Sequence, residues 1–188
     1  MKVAVAIAVA VCLAATAAWG HTFPPVRTVV VQVEKAELVV MVGYRPGTGE
    51  PTETILARAA SQPKSQVLET LRGVMTAYAM APLTISIDGK PLVPTSVRAK
   101  IGVETGGARP IVVVLVTFAM PATDRTHALA IASKDLRTTR ISWQDRCSGR
   151  VDLANAPAQD KWFDGVASFL LSIGAAKGDA ACATPSTD

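Results

Sequence analysis

Two runs rich in β-branched residues, VRTVVVQV and ELVVMVGY, follow an apolar leader, with Glu34, Lys35 and Ala36 between them. Such residues suit a pleated surface, and the polar break marks a turn. The pattern predicts a β-hairpin with strands near Arg27–Val33 and Glu37–Tyr44. The density of valine predicts strands buried on much of both faces. Arg45 to Pro51, with its Gly and Pro content, reads as a loop.

The period then changes. Thr52 to Ala60 is compatible with a short helix. Val67, Leu68, Leu71, Val74, Met75 and Tyr78 recur at steps of one, three and four, which predicts a helix over Ser65–Ala79 that Pro82 would stop. Leu83, Ile85 and Ile87 alternate with Thr84 and Ser86, and Asp88–Gly89 is a tight-turn signal. Further strands are expected over Ser96–Val103, Pro110–Pro121, His127–Ser133 and Thr138–Trp143. Short strands separated by turns predict a mainly β fold: an antiparallel β-sandwich over residues 21–150 with one inserted helix.

Near the end, Trp162, Phe163, Val166, Phe169, Leu170 and Ile173 fit one helical stripe behind Asp160, a candidate N-cap. This predicts a C-terminal amphipathic helix within residues 151–176, followed by a disordered tail over 177–188. The helix would dock on the sandwich. Alternatively, Trp162, Phe163, Phe169 and Leu170 would meet an envelope membrane protein, a transporter or the membrane itself.

The leader sets the expected compartment. Lys2, the apolar run Val3–Leu13 and the small residues Ala14–Gly20 read as a signal peptide over residues 1–20. Ala18 and Gly20 suit cleavage before His21, while Ala15 and Ala17 suit a competing site before Ala18. The reading is a periplasmic or secreted protein. Its cysteines agree: Cys147 and Cys182 remain after cleavage and would pair in an oxidising compartment. That bridge would contribute about 4 kcal/mol in the chain-entropy account. Two free thiols, or a thiol bound to a metal, are the alternatives. The net charge of +4 is mild and its cations are scattered, which argues against a nucleic-acid partner.

Enzyme motifs are missing: no GxSxG, no HExxH, no phosphate-binding loop and no dinucleotide fingerprint. The chain therefore reads as non-enzymatic. Its chemistry-bearing residues are its two histidines, His21 and His127. Cleavage before His21 would give that residue a free α-amine beside its imidazole, and His127 would add a third nitrogen. Nitrogen-rich, tetragonal sets suit Cu(II) or Ni(II). Met120, Asp124 and Asp135 are further candidate ligands. The plainer alternative is an N-terminal histidine and a surface-loop histidine with no metal.

The order HTFPPVR, ELVVMVGY, VLETLRGVMTAYA, LTISIDGKPLVP, IVVVLVTFAMP and HALAIASKDLRTTRISWQD resembles the exported N-terminal domain of HupE/UreJ-type and NicO-type nickel/cobalt permeases. Ile87–Asp88–Gly89 matches their "VDG"-like turn, and Asp135, Arg140 and Trp143 match a "D…R…W" strand. The likeness covers roughly His21 to Asp145 and lacks the membrane spans that carry transport. It implies an exported β-rich domain concerned with metal handling, or a stand-alone relative with another purpose.

Overall fold

The computed structural model describes residues 25–61, 66–103, 110–120, 125–146 and 148–175. The leader, His21, Asp124, both cysteines of the expected bridge and the expected tail lie outside these residues.

The opening hairpin forms as predicted, but only one of its faces is fully buried, since alternate residues are partly exposed and Met41 is exposed. β1 (Val26–Val33) pairs antiparallel with β2 (Glu37–Arg45), and Val29, Val31 and Val33 face the interior beside Leu38, Val40 and Val42. Two helices follow, α1 (Pro51–Ser61) and α2 (Gln66–Met80), where the fold expectation had one inserted helix. Met75 and Ala79 of α2 are buried, whereas Val74 and Tyr78 of the expected stripe are exposed. The helix is therefore turned away from those two residues. The main strands then follow in sequence: β3 (Leu83–Ile87), β4 (Lys90–Pro91), β5 (Pro94–Val103), β6 (Pro110–Ala119), β7 (His127–Ser133) and β8 (Thr138–Asp145).

The expected C-terminal helix is replaced by strands. β9 (Asp160–Phe163) and β10 (Ser168–Ile173) occupy this stretch. In β10, Phe169, Leu171 and Ile173 are buried while Ser168, Leu170 and Ser172 are exposed, a period of two. Phe169, Leu170 and Ile173 also satisfy helical spacing, so periodicity alone could not separate the two forms. Pairing decides it: β7 has an open side, and β10 fills it from Phe169↔Ile131 to Ile173↔His127.

The strands form two sheets. The larger runs β5-β6-β2-β1-β8-β9 and the smaller β10-β7-β3-β4. Neighbours are antiparallel except β1 and β8, which run parallel with Val29 beside Ile141. One hydrophobic core lies between the sheets. Val29, Val42, Val114 and Ile141 from the large sheet meet Ile85, Leu129, Ile131 and Phe169 from the small one. Leu56, Met75 and Ala79 bring the helices into the same core beside β5 and β6. Each such aliphatic side chain taken from water contributes roughly 1.5–3 kcal/mol. The segment from β9 to β10 belongs to this sandwich, because its edge strands complete both sheets.

One end of the sandwich is tied by charge. Arg27 is fully buried and donates two hydrogen bonds to Asp135, at 2.8 and 2.6 Å. Arg137 donates to Glu50 at 3.0 Å and to the Tyr44 hydroxyl at 3.1 Å. Its guanidinium lies 4.4 Å from the Tyr44 ring centroid. These contacts join β1, β2, the loop before α1 and the β7–β8 connection. Burial raises the Tyr44 hydroxyl pKa, and the Arg27 hydrogen bonds hold the Asp135 carboxyl below its usual range.

Candidate functional site

The site is built from a two-residue turn. Asp88 has φ of 50° and Gly89 φ of 75°. Two consecutive positive values suit the tight hairpin that joins β3 to β4, and Asp tolerates the first position because its carboxylate can bond locally. Here the carboxylate bonds to a neighbouring strand. One oxygen accepts from the Ala128 amide at 2.9 Å, and the other lies 2.6 Å from Nδ1 of His127. The Ala128 amide bond, and then the His127 contact, hold the Asp88 carboxyl below its usual pKa.

His127 opens β7 and its side chain is 7 % exposed. The buried ring belongs to the wall of a cavity of about 460 Å³ at this end of the sandwich. Ile87, Pro91, Leu92 and Met120 supply its apolar lining, and Asp88, Lys90 and Arg125 its polar part. Met120 is buried, and its amide donates to the Ala36 carbonyl at 2.9 Å, which fixes where the chain leaves β6. A mostly apolar concavity with a few convergent polar groups is the usual form of a small-ligand site.

The structure separates the residues proposed from sequence. Met120 and His127 line the same cavity. Asp135 does not join them. It follows the far end of β7, roughly 20 Å away by strand rise, and it is held by Arg27. Among the described residues no group of three or more His, Cys, Asp or Glu side chains is arranged to hold a metal. His21, Asp124, Cys147 and Cys182 lie outside the described residues.

The candidate partner residues do not share one face. Phe169 is 2 % exposed and sits in the core, while adjacent Leu170 is 62 % exposed on the other side of β10. Phe163 packs partly against the core. Trp162 is exposed and lies on the other sheet, beside Arg140. The single stripe they would form on a helix is absent because the strand places alternate residues on opposite faces.

Asp88 is the site residue that sequence reasoning missed. Its turn was legible, but its bond to His127 joins residues from different strands. The only local signal was an Asp in place of the more neutral Asn at a tight turn.

No protein-family model matches the chain, and no curated protein matches it.

Proposed function

We propose that this is an exported, non-enzymatic binding or accessory protein that holds a transition metal in the His127 cavity. The observation that carries this reading is the Asp88–His127 contact. Histidines that bind metals usually give their second ring nitrogen to a carboxylate or carbonyl, which sets ring orientation and tautomer. Asp88 meets Nδ1 and would orient the ring for coordination. Met120 lines the same cavity and offers a soft thioether. An imidazole with a thioether favours copper over nickel. The α-amine and imidazole of His21 would add two further nitrogens if cleavage falls after Gly20. The leader supports export, and the motif-level likeness to the permease domains supports metal handling.

Calorimetric titration of the processed protein with Cu(I), Cu(II) and Ni(II) tests the proposal. One equivalent of copper should bind more tightly than nickel. His127→Gln and Met120→Leu should each weaken copper at least tenfold, with the β-rich circular dichroism retained. Copper affinity equal to wild type in folded His127→Gln would remove the site. Intact mass tests the His21 contribution separately: a chain starting at Ala18 has no terminal histidine amine. The C-terminal residues offer no amphipathic helix to a partner, because they form strands in two different sheets.

A further inference from the structure

The large sheet has a second apolar face, directed away from the core. Residues directly opposite one another on paired strands share a face. Register therefore places two rows across this side. One runs Arg98, Leu115, Met41, Val30, Ser142 and Asp160. The next runs Lys100, Val113, Gly43, Thr28, Arg140 and Trp162. The centre of the face is apolar, with Met41 and Leu115 exposed and Val30 and Val113 partly exposed. A sheet face this rich in valine, leucine and methionine is normally covered.

Its two margins differ in charge. On the β9 side, Arg140 is neutralised by an ion pair with Asp160. On the β5 side, Arg98 and Lys100 are exposed, and among the described residues neither pairs with an acid. Between β5 and β2 lies a groove of about 560 Å³, floored by Met41, Ile111, Val113 and Leu115 and walled by Arg98 and Lys100. Gly43 lowers the floor, and the space its missing side chain leaves is bounded by Ile111 and Thr28 at 3.7 and 3.8 Å. Three strands at about 4.8 Å spacing span roughly 10 Å, the width of one helix.

We infer that this face docks an amphipathic helix of a partner protein, apolar side down on Met41, Ile111, Val113 and Leu115, with carboxylates along one flank meeting Arg98 and Lys100. The fit rests on complementarity: an apolar floor one helix wide, with uncompensated positive charge on a single side. An acyl chain would leave most of so broad a face uncovered. The inference is independent of the metal proposal, since the groove and the His127 cavity have no lining residue in common.

The test uses the full chain and two synthetic helical peptides with the same leucine stripe, one flanked by Glu and the other by Lys. Fluorescence anisotropy should show the Glu peptide binding at least tenfold more tightly than the Lys peptide. The double variant Arg98→Glu, Lys100→Glu should reverse that preference. Both substitutions are on exposed edge-strand positions, so the fold should persist. Amide shifts on adding the Glu peptide should map to β2, β5 and β6. Equal binding of both peptides, shifts elsewhere, binding only to phosphatidylglycerol vesicles, or dimerisation that Leu115→Ser abolishes would each overturn the inference.

Discussion

Asp88 and His127 lie 39 positions apart in sequence, and their side chains meet at 2.6 Å. The same carboxylate also receives the amide next to the histidine, Ala128. A turn residue thus orients an imidazole on a neighbouring strand. Asp88→Asn keeps a carbonyl acceptor for the amide but loses the negative partner of the ring. Copper affinity should fall roughly 10- to 100-fold, the usual effect of removing such an orienting group. Competition titration of the variant checks this, and wild-type affinity would show that the orientation does not matter.

Gly89 supports the same contact through the backbone. Its φ of 75° is strained for any residue with a side chain, although open space surrounds the position a Cβ would take. Gly89→Ala should therefore destabilise the protein through conformation alone, by about 1 kcal/mol. Urea unfolding measures it. A loss of several kcal/mol would point to a steric clash that the structure does not contain.

The Arg27–Asp135 pair should govern part of the acid stability. Removing one partner of a buried pair costs about 3–5 kcal/mol, and Asp135's partial exposure reduces that to about 2 kcal/mol. Asp135→Asn should show this loss at neutral pH. The Asp135 carboxyl is held below its ordinary value, chiefly by the Arg27 hydrogen bonds. Its contribution is thus complete above the unfolded value near pH 4 and disappears as pH falls through the lower native value. Wild type should lose stability across that acidic window more steeply than Asp135→Asn. Parallel slopes in denaturant titrations from pH 5 to pH 2 would exclude the pair as the cause.

The strand at the end of the chain makes a contrasting prediction for adjacent residues. Phe169→Ala empties a core position and should cost about 3–5 kcal/mol. Leu170→Ala changes an exposed position and should stay within about 0.5 kcal/mol. Chemical denaturation of the two variants checks the contrast. Similar losses in both would fit the helical reading, in which both residues lie on one buried stripe.

The site was only partly legible. His127 was singled out for its chemistry and Met120 as a nearby donor, and both line one cavity. Asp135 looked equally near in sequence, yet a strand carries it to the opposite end of the molecule. Asp88 was visible only as a turn. Sequence distance misleads here because β-strands are long and stiff: His127 and Asp135 are only eight positions apart in the chain, while strand pairing sets His127 beside a turn far back along it.

By itself, the sequence determined the strands whose apolar residues crowd or alternate, from the Val26–Val33 hairpin arm to Thr138–Asp145, as well as the Asp88–Gly89 turn and the helical insertion. Those features depend on local backbone preference and side-chain period, which neighbours in the chain already carry. Tertiary structure decided the rest: the parallel union of β1 with β8, the strand form of SFLLSI, the facing of α2, and the meeting of Asp88 with His127. In each of these cases the local pattern admitted more than one answer. Hydrogen-bonding groups left open on a distant strand, or apolar area to be buried against one, selected among them.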